Sequence, residues 1–330
     1  TLGNWLFMRV PLPAAITTTS TGNDMKTSCK NRWLGVLASQ QQRRIIARHA
    51  LRLGAATALA LTLAACTATR FAYNQAPTVS YWWIDRYVDL SGTQTAQTRE
   101  DLNAFFQWHR RQELPSYASL LRQWQAMSGD SVTPAQACSQ FDDIRQRLDR
   151  AAAEAVEPFA RLAVQLSPAQ LENLKKQQAE SNEKFEKDFL SGTPEQRLNK
   201  RLDKALERSE SFYGKLNPAQ RDLLRELLRK SPFDAQRTQA ERLRRQADLL
   251  QTVREAQATP AKAQQLVRDH IERIRHSPVP EYEAYNRELI RQGCAQFATL
   301  HNSTSAEQRA NAARVLKGYE DDLRVLSAQR

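Results

Sequence analysis

Apolar positions recur at intervals of three and four along most of the chain, which is the spacing of one face of an α-helix. After Thr133 the stripe reads Cys138, Phe141, Ile144, Leu148, Ala152, Ala155, Phe159 and Leu162. After Ser167 it reads Leu171, Leu174, Gln178, Phe185 and Phe189, and after Thr193 it reads Leu198, Leu202, Leu206, Phe212 and Tyr213. A short helix follows Asn217 through Leu223, Leu224, Leu227 and Leu228 and stops before Pro232; further stripes run through Leu243, Leu250 and Val253, and through Leu266, Ile271 and Ile274. The last two helices carry Tyr285, Leu289, Phe297 and Leu300, then Val315, Tyr319, Leu323 and Leu326. β-Branched alternation is nearly absent. The prediction is an all-α body of about eight to ten helices packed as antiparallel hairpins.

Helix starts are marked by one repeated device. Thr133-Pro134-Ala135-Gln136, Ser167-Pro168-Ala169-Gln170, Thr193-Pro194-Glu195-Gln196 and Asn217-Pro218-Ala219-Gln220 each place a capping residue before a proline. The cap satisfies free amides, and proline at the first helical position loses no hydrogen bond. For the Ser and Thr versions, glutamine three residues on completes a capping box. Thr259-Pro260 and Ser303 to Gln308 are looser versions. Uneven intervals between the starts exclude a regular solenoid.

One apolar run is of another kind. Arg43, Arg44, Arg48 and Arg52 precede Leu53 to Ala65, 13 residues without a charge, ending in Leu63-Ala64-Ala65-Cys66. A membrane-crossing helix needs about 20 such residues, so the run is read as a secretory signal. Cysteine directly after Leu-Ala-Ala makes it a lipoprotein signal, with cleavage before Cys66 and acyl chains on that residue. Residues 1–65 are then a leader and signal peptide that is removed, 66–78 a lipidated tether and 79–330 the helical domain. The stretch before Arg43 lacks periodicity, and Met8 or Met25 is read as the start of translation. Thr67 follows Cys66 where an aspartate would favour retention at the inner membrane. The expected address is the periplasmic face of the outer membrane.

Removing the leader changes the charge argument. The chain carries 48 Lys and Arg against 36 Asp and Glu, a net +12. Eight basic residues and one acidic residue lie in 1–65, leaving 40 against 35, or +5, for 66–330. The basic balance of the whole chain would suggest nucleic acid, but most of the excess belongs to export, and no nucleic-acid partner is expected. The expected partners are the membrane, through the acyl chains, and another envelope protein.

Two cysteines remain in the body, Cys138 and Cys294. In an oxidising compartment they form either a disulfide or two separate buried thiols. Aromatic residues crowd the first part of the domain: Tyr81, Trp82, Trp83, Tyr87, Phe105, Phe106, Trp108, Tyr117 and Trp124. They read as an aromatic core between the first two helices, the alternative being a face laid against a bilayer. Asp85, Arg86, Asp89, His109, Arg110 and Glu113, interleaved with them, are a candidate polar site or a set of salt bridges fixing those helices.

Reactive patterns are missing. There is no glycine-rich phosphate loop, no G-x-S-x-G elbow and no H-E-x-x-H pair. His109, His270, His276 and His301 lack metal-ligand spacing, and His270 reads as a core residue. No enzymatic activity, cofactor or metal is expected.

Tyr81-Trp82-Trp83-Ile84-Asp85-Arg86-Tyr87-Val88-Asp89-Leu90 and Trp108-His109-Arg110-Arg111-Gln112-Glu113-Leu114-Pro115-Ser116-Tyr117 resemble a family of uncharacterised bacterial envelope lipoproteins. Asn182 to Phe185, Phe212 to Gln220 and Ser231 to Asp234 are similar to its later part. The resemblance implies an envelope lipoprotein with a helical domain and no assigned activity, and it brings no catalytic residues. Leu166 to Gln170 and Leu216 to Gln220 also look like the Leu-Thr-x-x-Gln helix starts of small periplasmic helical-hairpin chaperones. That likeness gives the alternative function, shielding unfolded clients.

Overall fold

The computed structural model describes residues 68–329, and the chain from Asn74 onward forms one compact unit. Residues 68–74 are helical. Twelve α-helices follow among the described residues: α1 (Ala76–Val88), α2 (Gly92–Trp108), α3 (Leu114–Met127), α4 (Pro134–Glu154), α5 (Val156–Val164), α6 (Pro168–Phe189), α7 (Pro194–Tyr213), α8 (Pro218–Arg229), α9 (Ala235–Ala258), α10 (Ala263–Arg275), α11 (Pro280–Asn302) and α12 (Ala306–Ala328). The described residues contain no strand. Helix begins inside residues 66–78, the stretch expected as a tether, and Pro77, in the first turn of α1, favours the start of that helix.

The count exceeds the expected eight to ten, and two prolines account for the excess. The stripe after Thr133 was expected to continue to Leu162, but the helix breaks at Ala155. Pro158 has no N–H, and its ring collides with the carbonyl four residues back, on Glu154, where α4 ends. Pro115 removes the bond that would reach Arg111, and the chain answers by widening. Residues His109–Glu113 form a π-turn between α2 and α3, with the Leu114 amide donating to the His109 carbonyl.

Thr133, Ser167, Thr193 and Asn217 each accept a hydrogen bond from the glutamine amide three residues on, and all four boxes are closed. Ser305 with Gln308 makes a further box, and Ser91 donates the same return bond from its amide to Gln94 Oε1 at 3.1 Å. Four of these glutamines do more than cap. Gln94 and Gln170 face each other across the starts of α2 and α6, bonded amide to amide at 2.7 and 3.3 Å. Gln94 Nε2 also donates to the Gln165 carbonyl at 3.0 Å, and Gln170 Nε2 to that of Asp89 at 2.8 Å. Gln220 and Gln308 repeat the arrangement at α8 and α12, donating to Ser303 and Lys215 at 2.9 and 3.0 Å and to one another at 2.7 and 3.0 Å. In all four cases the carbonyl lies two residues before the partner's cap. Each amide group thus uses both of its donors, and each oxygen takes at least two hydrogen bonds.

Some packing joins consecutive helices, as in α1 with α2, α7 with α8, and α9 with α10; the most extensive contacts, α3 with α12 and α4 with α11, join distant ones. The apolar interior is divided accordingly. The largest cluster holds Leu198, Leu202, Tyr213, Leu216, Leu224 and Leu228 with Leu300 and Ala312. A second joins Val156 and Ala160 to Ala256, Ala263 and Val267. Between α4 and α11, Cys138 and Cys294 are bonded as a disulfide, Cα atoms 5.3 Å apart, across a separation of 156 residues. In the chain-entropy picture a loop of that size contributes about 5 kcal/mol.

Candidate functional site

α1 is apolar almost all round its circumference, so its packing decides which face is hidden. Tyr81 turns inward, with the Arg99 guanidinium 3.6 Å above its ring. The other side carries Val79, Trp82 and Trp83, 55%, 61% and 61% exposed. With Arg86, also exposed, they occupy positions i, i+3, i+4 and i+7, a single stripe. The expected aromatic core is therefore only partly formed. Phe105, Phe106, Trp108, His109 and Tyr117 do assemble, with ring centroids 5.4–6.4 Å apart, while the two tryptophans of α1 point to solvent.

The six residues read as a polar site are distributed over different contacts. Asp85 accepts the Leu90 amide at 3.0 Å and so closes the end of α1. Arg86 donates to Gln177 on α6 at 3.0 Å. Asp89 takes a left-handed conformation, φ 60°, and gives its carbonyl to the Gln170 clasp. Arg110 bonds Asn74 and Gln329, each at 2.8 Å, tying the two ends of the body together. His109 lies in the aromatic cluster, and burial lowers its pKa to about 4.

Glu113 is the exceptional member. It is wholly buried, 0% exposed, at the end of the π-turn. Arg150 Nε lies 3.1 Å from one oxygen and Arg147 Nη1 3.8 Å from the other, yet neither oxygen receives a hydrogen bond from the protein. Arg147 instead donates to Ser116 at 3.3 Å. Tyr117, one turn on, has its pKa pushed up to about 12 by burial and then by the charge of Glu113. The π-turn thus gathers a carboxylate, a histidine that stays neutral and a phenol that stays protonated. Near neutral pH neither ring exchanges a proton. Sequence reasoning singled out Glu113 but missed Arg147 and Arg150; they lie on α4, and no local pattern announces that α4 delivers them.

Two other buried histidines are engaged by polar partners. His270 Nδ1 lies 2.7 Å from Asp248, which also accepts from Arg273 at 2.8 Å. His301 Nε2 is 2.9 Å from the Asp130 carbonyl, which can only accept. The proton therefore sits on Nε2, leaving Nδ1 to accept from the Tyr213 hydroxyl at 2.9 Å. Among the described residues, no three His, Cys, Asp or Glu side chains are arranged to hold a metal ion. No described helix is long and apolar enough to cross a membrane. A shallow hollow at the start of α8, lined by Lys215, Asn217, Arg221 and Asp222 among others, contains none of the groups above.

No curated protein and no solved structure matches the chain. A family of unknown function, DUF6279, matches residues 86–292, more than half of the 330-residue sequence. The match takes in the π-turn, Arg147, Arg150 and the whole of α2 to α10. The chain belongs to the DUF6279 family.

Proposed function

We propose that this is a lipid-anchored protein of the bacterial envelope, facing the periplasm from the outer membrane, whose helical body works by binding or supporting another envelope protein. The observation that carries the proposal is the run from Arg43 to Cys66, cationic, then apolar for 13 residues, then Leu-Ala-Ala-Cys. Those residues lie outside the described part of the chain. The Cys138–Cys294 disulfide supports the same address from inside the body, since such bonds persist in oxidising compartments. Two or three acyl chains, at about 0.8 kcal/mol for each buried methylene, make release from a bilayer negligible.

Growth of producing cells with labelled palmitate tests this. The chain takes up label and sediments with membranes, whereas Cys66→Ser loses both properties. An unmodified thiol at Cys66, or a retained leader, overturns the proposal. Crosslinking in intact cells then reads the partner, one specific band being the expected result.

The paired Leu-Ser/Asn-Pro-Ala-Gln starts favour a second reading, a chaperone that shields unfolded clients, because similar starts mark small periplasmic helical chaperones. Its signature is suppressed aggregation of unrelated proteins. The fixed-partner reading predicts none.

A further inference from the structure

Val79, Trp82 and Trp83 are exposed on the side of α1 away from Tyr81, which the body buries. We infer that Val79, Trp82 and Trp83 form a docking face for the interfacial layer of a phospholipid bilayer, with Arg86 at its edge among the headgroup phosphates. The inference rests on the lipid-anchor proposal and gives that anchor an orientation.

Three observations select a bilayer as the occupant. The first is chemistry. Indole rings are apolar bodies with one N–H donor, and they concentrate where hydrocarbon meets water. The stripe holds two of them side by side, 61% exposed each. The second is position along the chain. Twelve residues lie between Cys66 and Val79, a distance of at most about 45 Å when fully extended. Acyl chains on Cys66 therefore confine α1 to the neighbourhood of the membrane, and a weak face becomes effective at high local concentration. The third is charge. Arg86 is the stripe's only charged residue, with its side chain 69% exposed and the Glu180 carboxylate 3.5 Å away. One cation beside an acidic group contributes little net attraction, so the tryptophans supply most of the contact and salt should weaken it only slightly. The helix lies along the surface; it does not enter, because no described helix can span the hydrocarbon.

The test places the body at a bilayer without relying on the cell's acylation. In the full chain carrying Trp5→Phe, Trp33→Phe and Cys29→Ser, the tryptophans are Trp82, Trp83, Trp108 and Trp124, and with Cys138 and Cys294 bonded Cys66 is the one free thiol. That thiol is coupled to maleimide-headgroup lipid in vesicles of phosphatidylethanolamine and phosphatidylglycerol bearing shallow brominated acyl chains. Trp82 and Trp83 should be quenched, giving at least a 1.5-fold loss of tryptophan emission relative to unbrominated vesicles. The Trp82→Ala/Trp83→Ala chain, coupled equally, should lose almost none, as Trp108 and Trp124 are held within the body. The double variant removes only exposed side chains, and an unchanged helical spectrum checks its fold. Unquenched emission from the coupled wild-type chain overturns the inference. So does self-association that the double variant abolishes, for then a second copy covers the stripe, and so does equal quenching in both chains. Failure of palmitate uptake in cells would sink the anchor proposal alone, since the coupled vesicles read the face independently.

Discussion

Three buried glutamates, Glu113, Glu241 and Glu320, lie beside pairs of arginines, and the first two are treated in opposite ways. Glu241, on α9, is 3% exposed and receives a bidentate pair from Arg244 at 2.8 and 2.9 Å, a further bond from Arg245 at 2.7 Å and the Ser277 hydroxyl at 3.1 Å. Burial raises its pKa, but the guanidinium bonds outweigh that and hold it below the usual carboxylate range. Glu113 is more deeply buried, has its arginines at ion-pair distance and accepts no hydrogen bond. The difference lies in backbone geometry. Arg244 and Arg245 sit three and four residues beyond Glu241 on the same helix, where side chains meet naturally. Arg147 and Arg150 reach Glu113 from another helix, across a π-turn imposed by Pro115. Glu241 is well held because one regular helix supplies both arginines, and Glu113 poorly because its arginines come from another helix across a displaced register.

The largest effect should come from breaking the well-held group. Glu241→Gln leaves Arg244 and Arg245, 22% and 15% exposed, without their carboxylate. Removing one partner of a buried ion pair costs about 3–5 kcal/mol, and a denaturant titration should show a loss of that size. A loss below about 1 kcal/mol would mean that water replaces the carboxylate. The neutral counterpart comes next. Gln220→Ala opens the α8–α12 clasp, strips the Asn217 amide of its cap and leaves the Ser303 carbonyl and Gln308 each short of a partner. A cap and a buried unsatisfied group together amount to about 2 kcal/mol. Gln136→Ala, where the box stands alone on the surface, should cost under about 1 kcal/mol. Equal losses at the two positions would show that the clasp adds nothing to the cap.

These regions were unequally legible in the sequence. The starts at Thr133, Ser167, Thr193 and Asn217 were readable because capping needs only four neighbouring residues. Ser91, which lacks a proline after it, was missed although Gln94 stands three residues on. The clasps could not be read at all, since each joins glutamines 76 or 88 positions apart. Pro158 and Pro115 were visible, but apolar periodicity continues through both and hid the breaks. At α1 the failure is of another kind. Val79, Tyr81, Trp82, Trp83, Ile84, Tyr87 and Val88 cover nearly every side of the helix, so spacing cannot say which of them the body hides.

Disturbing the poorly held carboxylate should cost less than Glu241→Gln or Gln220→Ala. Glu113→Gln keeps the volume and discards the charge, with no hydrogen bond to lose. Arg150 is 55% exposed and Arg147 26%, so both can turn to water. The expected loss is about 1 kcal/mol or less, in the range of a single ordinary interaction, again by denaturant titration. A loss matching that of Glu241→Gln would erase the distinction between the two groups and make the ion pairs of Glu113 as strong as a hydrogen-bonded set.

The smallest change at neutral pH carries the comparison to the neighbouring histidines. His109 is lowered to about 4 by burial alone, whereas at His270 burial is the leading cause and is partly offset by the bond to Asp248. A histidine whose folded pKa lies below its unfolded value near 6.5 is neutral in the native state and takes up its proton more readily on unfolding. Its share of stability is complete above about pH 6.5 and is lost as pH falls from there toward 4. His109→Gln should therefore leave stability almost unchanged at pH 7 and flatten its decline between pH 6.5 and 4. His270→Gln should flatten it less, because Asp248 already meets part of the cost of protonation, though at pH 7 it forfeits the Asp248 bond. Melting temperatures of the three chains across that interval decide the matter. If His270→Gln gives the flatter curve, the π-turn region is wet enough to accept a proton on His109, and the contrast with the Glu241 region loses its electrostatic basis.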